Sequence, residues 1–295
     1  MESMAARSVL LIRPKGFASD GQPAVDNSFQ ATDSDLTPRE IQSRAAAEFE
    51  VVASALRDNG VETTIFDGEI THPDDTFPNN WFSTFPDGTL ILYPMRALAR
   101  RLERREDIVE WLLDRYPQLV DMSGMEDRDL FLEGTGSLVL DRANQIAFAG
   151  RSHRTNEQLV RNWCADFEYE PILFDTAGPG GKSIYHTNVL LSIGTGFAVA
   201  CTECIVQPAP VLSALLTGGK DVIEITWGQM MSFCANVLEL EGRDKILMMS
   251  RTAHEAFSPS QLESIEKFAR PVVVDIPTIE RYGGGGVRCM IAELY

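Results

Sequence analysis

Two short apolar segments flank a polar tetrapeptide in the run Ser137-Leu-Val-Leu-Asp-Arg-Ala-Asn-Gln-Ile-Ala-Phe-Ala149. Short apolar segments separated by turn residues predict a β-hairpin, here with strands at 137–140 and 145–149. Residues 155–166 then predict a helix, and Glu170–Phe174 predict another strand. The stretch therefore describes one unit of the order strand, strand, helix, strand, or ββαβ.

Similar elements recur along the chain. Strands are predicted at 8–14, 61–66, 89–93, 189–193, 197–201, 245–249 and 272–276, and helices at 101–116, 211–216 and 258–269. A capping box with Thr37 at the N-cap, Pro38 next and Glu40 at the third position opens one more helix, which continues to about Asn59. Units spaced at roughly fifty to sixty residues indicate an internal repeat.

The repeat predicts an α/β fold of five ββαβ units arranged radially and closed on itself, with the functional loops meeting at the centre. No linker rich in proline, glycine or serine interrupts the chain. We therefore expect residues 1–295 to form a single domain.

Composition excludes several classes of function. The 295 residues are 44% hydrophobic, which is enough for a full-sized core, and the formal net charge of −17 argues against nucleic-acid or anionic-membrane partners. No segment has the length of a membrane span, and the residues before the first strand lack the apolar region of a secretory signal. Five cysteines, an odd number, do not suggest a disulfide framework, so we expect a reducing, cytoplasmic setting.

Two cysteines in Cys201-Thr-Glu-Cys204 have the spacing of half a zinc site. Such a site needs a second pair or nearby histidines, but the four histidines are scattered at positions 72, 153, 186 and 254. We therefore expect both thiols to be buried as apolar side chains. We predict no metal and no other cofactor.

Three loop segments place reactive side chains beside glycines at the edges of predicted strands. Glu133 precedes Gly134-Thr-Gly, His186 follows a glycine-containing loop, and Cys289 follows four consecutive glycines, 283–286. A cysteine, a histidine and a glutamate are the groups needed for covalent catalysis by a thiolate. In that role Cys289 attacks, His186 transfers protons, and Glu133 holds or protonates the planar nitrogen group under attack.

Each residue also has a structural interpretation. Glu133 could accept turn hydrogen bonds, His186 could stabilise a hairpin, and Cys289 could pack as a small apolar side chain before a final strand. The neighbouring cation of Arg288 favours the nucleophile interpretation, because a nearby positive charge lowers the pKa of a thiol.

Four motifs in this sequence resemble the guanidine-modifying superfamily, also called penteins, which includes arginine deiminases, dimethylarginine hydrolases and arginine amidinotransferases. They are Phe131-Leu-Glu-Gly-Thr-Gly-Ser137, Gly150-Arg-Ser-His-Arg-Thr155, His186-Thr-Asn188 and the closing Gly-Gly-Gly-Val-Arg-Cys289-Met. Together with Phe77-Pro-Asn-Asn-Trp-Phe-Ser83, they are most similar to the citrulline hydrolase or amidinotransferase-like branch. The resemblance extends from the first strand to the last motif. It implies a five-bladed α/β propeller and a metal-free mechanism through a covalent intermediate on Cys289.

Two positions depart from the arginine deiminase pattern, in which aspartates pair with the cationic guanidinium. Asn80 and Asn188 stand at these positions here. Two carboxylates suit a guanidinium, whereas an amide can donate to the carbonyl oxygen of a neutral ureido group. We therefore expect a hydrolase that converts citrulline to ornithine, ammonia and carbon dioxide.

The resemblance also implies how the amino-acid end of the substrate is held. Asp74 would bind the α-amino group and Arg154 the α-carboxylate, with Arg100 as the second candidate for the carboxylate. Additional substrate-binding residues are expected at Phe77, Asn79, Asn27 and Phe29.

Other functions stay open at this point. Arginine deiminase or arginine dihydrolase activity is the first alternative, and transfer of the amidino group to another amine is the second. The same propeller also serves as a non-catalytic ribosome-associated factor, but such a protein would not need Cys289, His186 and Glu133 together. The expected partner is a small amino acid, and a homo-oligomer is left open.

Overall fold

The computed structural model describes residues 4–17, 30, 36–178 and 181–295. Within these ranges, fifteen strands form five sheets of three strands each. In chain order the strands are β1 (Ser8–Arg13), β2 (Glu62–Asp67), β3 (Phe82–Thr84), β4 (Thr89–Leu92), β5 (Gln118–Asp121), β6 (Val139–Asp141), β7 (Ile146–Gly150), β8 (Glu170–Phe174), β9 (Leu191–Ile193), β10 (Phe197–Ala200), β11 (Asp221–Glu224), β12 (Leu238–Glu241), β13 (Lys245–Ser250), β14 (Arg270–Val274) and β15 (Ala292–Leu294).

All five sheets have the same internal arrangement. The orders are β15-β1-β2, β3-β4-β5, β6-β7-β8, β9-β10-β11 and β12-β13-β14. In each, the middle strand pairs antiparallel with the first neighbour and parallel with the second. A parallel pair requires a crossover, which a helix supplies. The predicted five ββαβ units and the α/β propeller are therefore confirmed.

The first sheet joins distant parts of the chain. Strand β1 pairs with β15 in antiparallel register, with Ser8 opposite Leu294, and with β2 in parallel register, with Ser8 opposite Glu62. The ring of sheets is therefore closed by backbone hydrogen bonds between β1 and β15, next to the segment that carries Cys289.

Ten helices are described. They are α1 (Pro38–Asp58), α2 (Leu98–Arg101), α3 (Glu106–Leu113), α4 (Gly134–Ser137), α5 (Glu157–Asp166), α6 (Pro208–Thr217), α7 (Trp227–Met231), α8 (Arg251–Ala256), α9 (Pro259–Glu266) and α10 (Pro277–Gly283). The predicted capping box of α1 is present, because the Thr37 hydroxyl accepts from Glu40 N and the Glu40 carboxylate accepts from Thr37 N. No helix in the described ranges is long and apolar enough to cross a membrane.

The buried face of α1 supports the segment around Cys289. Phe49 and Leu56 are fully buried and belong to one apolar cluster with Met248, Met290 and Ile291. Burying a side chain of this size contributes roughly 1.5–3 kcal/mol. The cluster therefore holds the chain on both sides of Cys289 against α1 and β13.

Several predicted boundaries were wrong. The predicted helix 101–116 is shorter in the structure, where α3 spans Glu106–Leu113 and α2 ends at Arg101. Glu103, between the two helices, turns inward to pair with Arg100. The strand predicted from Ser137 begins at Val139, because Gly134–Ser137 form a helical turn, and the strand predicted from Val189 begins at Leu191 after a 3₁₀ turn. Four short strands, β3, β5, β11 and β12, were not predicted.

Candidate active site

Glu133 and His186 form the closest polar pair of the site. Glu133 is the N-cap residue of α4, and His186 precedes a 3₁₀ turn at Thr187–Val189. Nε2 of His186 lies 2.7 Å from Oε2 of Glu133, and the other carboxylate oxygen accepts the backbone N–H of Arg96 at 3.0 Å. Both side chains are buried. Because the carboxylate is held at both oxygens, it fixes the orientation of the imidazole ring.

Opposing effects determine the protonation of this pair. Burial raises the pKa of Glu133, but the charge of Arg154 and the hydrogen bond from His186 outweigh burial, and the net pKa is well below its usual value. Burial lowers the pKa of His186 to about 4, although Glu133 opposes that change. The imidazole is therefore neutral near pH 7. A carboxylate can only accept, so Nε2 carries the proton and Nδ1 is left as a base.

Cys289 lies in a 3₁₀ turn, Val287–Met290, immediately before β15. Its Sγ is 3.2 Å from Nδ2 of Asn236 and 4.0 Å from Nδ2 of Asn188. Burial raises the pKa of the thiol, and this effect exceeds the lowering by the Asn236 hydrogen bond and by Arg288. The expectation that Arg288 activates the thiol is therefore only partly met, since Arg288 is also bonded to Glu293 Oε2 at 2.6 Å.

The glycines before Cys289 are required by close approaches. Gly284 ends α10 with φ of 65°, a conformation that glycine adopts without steric cost. A Cβ on Gly285 would lie 2.9 Å from the Phe77 ring and 3.2 Å from Cβ of Cys289. The glycine run therefore lets the chain pass between Phe77 and the cysteine.

A cleft of about 420 Å³ joins most of the predicted site residues. It is lined by Asp74, Phe77, Asn80, Ala97, Arg100, Arg154, Tyr185, His186, Gly283, Gly284, Gly285 and Cys289. Glu133 lies behind His186 and is fully buried. A larger cavity of about 700 Å³ shares Asn188 with the site but contains neither His186 nor Cys289, so the smaller cleft is the candidate active site.

Asn80 is held by Arg100. Nη1 of Arg100 donates to Oδ1 of Asn80 at 2.7 Å, while Nε and Nη2 donate to the two carboxylate oxygens of Glu103 at 2.7 and 2.9 Å. Nη2 of Arg100 also donates to the carbonyl oxygen of Phe77. Arg100, the second candidate for the substrate carboxylate, thus has protein acceptors for most of its donors.

Arg154 also lines the cleft. Its Nη1 donates to Oε2 of Glu133 at 3.3 Å, its guanidinium carbon is 4.8 Å from the centre of the Tyr185 ring, and its buried Nε has no hydrogen-bond partner among the described residues. Half-buried Asp74 lines the same cleft. The cleft therefore contains both a cationic and an acidic side chain.

Asn79, another predicted binding residue, does not line the cleft. Nδ2 of Asn79 donates to the Thr135 hydroxyl at 3.3 Å, which fastens the Phe77–Asn80 segment to α4. Asn27 and Phe29 lie outside the described residues.

Asn236 was missed by sequence reasoning. It has no family motif around it, but it is a polar residue within the otherwise apolar run Cys234-Ala-Asn-Val-Leu238. A buried polar side chain needs a partner, and this requirement is the signal that could have drawn attention to it.

The Cys201 and Cys204 thiols are both buried, as predicted, with their sulfurs 2.8 Å apart. The described ranges contain no group of three or more histidine, cysteine or acidic side chains placed to hold a metal ion. The described residues therefore offer no third metal ligand beside Cys201 and Cys204.

Comparisons with known proteins place the chain in a family. A family model for N,N dimethylarginine dimethylhydrolase, eukaryotic, matches residues 13–295. The chain belongs to this family, within the pentein superfamily. It is an enzyme of the dimethylarginine hydrolase family, acting on amidino C–N bonds. No curated protein matches the chain.

Solved structures share the fold at low identity. The N-terminal domain of ArgZ, an arginine dihydrolase from the ornithine–ammonia cycle in Cyanobacteria, is 14% identical with a TM-score of 0.78, covering 97% of both chains. DDAH from Pseudomonas aeruginosa, complexed with citrulline, is 18% identical with a TM-score of 0.73, covering 99% of this chain and all of that one. AgrE with ornithine and NAD⁺ is 15% identical with a TM-score of 0.78, covering 98% of this chain but 39% of that one.

Proposed function

We propose that this enzyme hydrolyses the ureido group of citrulline, with Cys289 as nucleophile, His186 as proton carrier and Glu133 as the residue that orients the imidazole. The observation that carries the proposal is the contact between Arg100 and Asn80. It determines which end of the Asn80 amide is available to a substrate.

A guanidinium has donors only, so the atom of Asn80 that lies 2.7 Å from Arg100 must be the oxygen. The nitrogen then faces the other way, towards Gly136 and the His186 ring. It is buried and has no acceptor among the residues of the described chain. Asn80 therefore offers N–H donors to the substrate.

Such a donor suits a carbonyl oxygen. A ureido group provides that oxygen, whereas the corresponding nitrogen of a guanidinium carries hydrogens and would oppose the Asn80 amide. Asn188 is the second asparagine that stands where arginine deiminases have an aspartate. Its amide nitrogen lies 4.0 Å from Cys289 Sγ, and it brings no negative charge. A buried cationic head group would lack the paired carboxylates that usually stabilise it.

The rest of citrulline fits the polar groups at the cleft. The α-amino group would pair with Asp74 and the α-carboxylate with Arg154, with Arg100 as the alternative cation. Phe77 and Asn79 complete the binding segment. A partner that is a small amino acid agrees with the arginine, citrulline and ornithine named for the similar structures.

The reaction would proceed in two stages. The Cys289 thiol transfers its proton to Nδ1 of His186, Sγ attacks the ureido carbon, and ammonia leaves with that proton. The intermediate is a thiocarbamate that still carries the ornithine side chain. Water then attacks it, the sulfur leaves, and the resulting carbamate of ornithine loses carbon dioxide.

A second candidate substrate is N,N-dimethylarginine, because the matching family model bears that description. Its hydrolysis by the same thiol would release dimethylamine and citrulline. Arginine deiminase and dihydrolase activities differ again, since they begin with loss of ammonia from arginine.

One assay separates these functions. Purified enzyme is incubated in parallel with citrulline, arginine and N,N-dimethylarginine, and ornithine, citrulline, ammonia and dimethylamine are measured. We expect ornithine and ammonia in equal amounts from citrulline. Ammonia from arginine with citrulline untouched, or dimethylamine as the main product, would rule out the proposal.

Two variants and one additive complete the design. Cys289→Ser should abolish turnover, whereas Cys164→Ala, at a buried cysteine on α5 outside the cleft, should retain it. Added glycine tests amidino transfer, because an acceptor amine that outcompetes water would form a new guanidino product.

A further inference from the structure

Asn236 contacts the sulfur of Cys289 from the segment that leads into another sheet. It lies just before β12, is 3% exposed, and its Nδ2 is 3.2 Å from Sγ. The same nitrogen is 3.3 Å from the backbone oxygen of Asn188. One amide group therefore connects the cysteine with the segment that carries His186 and Asn188.

The orientation of this amide is determined by its partners. The backbone oxygen of Asn188 can only accept, so the nitrogen of Asn236 must face it. Both N–H groups are then used, one on Asn188 and the other on Sγ. The alternative orientation would place two oxygens against each other and leave Sγ without this donor.

The oxygen of Asn236 has no compensating contact. Oδ1 is buried without a hydrogen-bond partner in the described part of the chain, and a Cβ on Gly286 would lie 2.7 Å from it. An unpartnered buried oxygen costs free energy. Asn236 keeps this position despite that cost, and its nitrogen is directed at Sγ of Cys289. Its presence is therefore better explained by the hydrogen bond to the sulfur than by packing.

We propose that Asn236 is a catalytic residue whose amide N–H holds Cys289 Sγ and stabilises its thiolate. The inference deepens the proposed function and depends on one part of it, namely that Cys289 is the nucleophile. Hydrogen bonds to a charged acceptor are stronger than those to a neutral one, so the amide favours the thiolate over the thiol.

Other groups also act on this sulfur. The titratable or charged groups around the cleft are Arg288, Arg100, Arg154, His186, Tyr185 and Asp74. Arg288 is paired with Glu293 and Arg100 with Glu103, and burial raises the thiol pKa. The Asn236 hydrogen bond is the largest of the effects that lower it.

The test measures the thiol without any substrate. Alkylation of Cys289 by iodoacetamide is followed from pH 6 to 10 by mass spectrometry of the tryptic peptide 289–295, in which Cys289 is the only cysteine. Asn236→Ala removes the donor. Asn236→Asp keeps the shape and places an oxygen beside the sulfur. Ser192→Ala, which removes a buried hydroxyl outside the cleft, is the control.

We expect both Asn236 variants to raise the apparent thiol pKa by about one unit or more and to slow alkylation at pH 7 about ten-fold or more, with Asn236→Asp the more affected. The control should match the wild type. An unchanged or lowered pKa in the folded Asn236→Ala protein would overturn the proposal, because the charge introduced in Asn236→Asp raises the thiol pKa whether or not Asn236 donates. Because alkylation requires no substrate, this result stands apart from the assay of citrulline turnover.

Discussion

The imidazole Nε2 of His186 and the carboxylate Oε2 of Glu133 are 2.7 Å apart, although the two residues belong to different units of the propeller. Glu133 leads into the sheet of β6, β7 and β8, and His186 leads into the sheet of β9, β10 and β11. The pair therefore links two neighbouring sheets, with His186 lining the cleft and Glu133 behind it.

Glu133→Gln is expected to lower kcat for citrulline by at least about 100-fold, because the neutral amide no longer fixes the proton on Nε2 of His186. Arg154 also loses its carboxylate partner. Steady-state product assays measure the effect. Glu126→Gln, which breaks an ion pair with Arg104 outside the cleft, is the matched control and should keep its turnover. Equal activity in both variants would contradict the assigned role.

Asn80→Asp combined with Asn188→Asp should shift preference from citrulline to arginine. The two carboxylates would pair with a guanidinium and repel the ureido oxygen, so we expect the ratio of kcat/KM values to change by about 100-fold or more. Asn144→Asp, on an exposed turn, serves as the control. An unchanged ratio in the double variant would remove the basis for assigning citrulline from these two residues.

Gly136→Ala should lower turnover by at least about ten-fold. The added methyl group would lie 2.4 Å from Nδ2 of Asn80 and 2.9 Å from Nδ1 of His186, so one of them must move. A displacement of this size is enough to impair a positioned catalytic group. Gly124→Ala, where no atom lies within 4 Å, should leave the kinetics unchanged. Kinetic and thermal-unfolding measurements on both variants make the comparison.

We expect kcat/KM for citrulline to stay nearly constant from pH 6 to 8. In the proposed reaction the proton of the Cys289 thiol passes to His186 and leaves with ammonia, so the active enzyme carries a thiol and a neutral imidazole. Burial raises the pKa of the thiol and lowers the pKa of His186 to about 4, so both groups keep these protonation states across this window. The Glu133 pKa is well below its usual value, so Glu133 does not titrate there either. A change of about ten-fold between pH 6 and pH 8 would contradict this assignment.

Asp75→Asn should make stability less sensitive to pH. Burial raises the pKa of Asp75 from its ordinary value of about 4 to about 7, and its Oδ1 has no partner in the described residues. The folded state therefore binds an extra proton between these values, so the wild type loses stability as the pH rises from 4 to 7, by at most about 4 kcal/mol.

The asparagine variant should lose less stability over that range in urea unfolding measured at pH 5 and pH 8. Asp114→Asn, at an exposed carboxylate at the end of α3, provides the control and should follow the wild type. If Asp75→Asn and the wild type lose equal stability between the two pH values, Asp75 is not the group responsible.

Local patterns predicted much of the fold, because each unit contains a hairpin, a helix and a strand with recognisable periodicity. The missed strands lacked that signal. Strand β5 is four residues long and fully exposed, so it has no alternation of buried and exposed positions, and β3 has three residues. Glu103 turns inward between α2 and α3 to pair with Arg100, which a charged segment does not reveal.

The residues of the candidate site were only partly accessible from the sequence. Glu133, His186 and Cys289 follow from chemistry and motif, and Asn80 follows from the departure from an aspartate. The orientation of the Asn80 amide could not be predicted, because it depends on a contact with Arg100, twenty positions away. Asn236 reaches Cys289 only when β12 and the cysteine segment meet in space, a contact between residues 53 apart that no local pattern encodes.

The pairing of β1 with β15 has a consequence for folding. Contacts between residues so distant in sequence form slowly, because the intervening chain must first lose much of its conformational freedom. Until Ser8 and Leu294 come together, we expect the Cys289 thiol to be solvated, without its amide donor and its imidazole. A partly folded chain would carry an ordinary cysteine without hydrolytic power, and the appearance of activity during refolding would report the moment of ring closure.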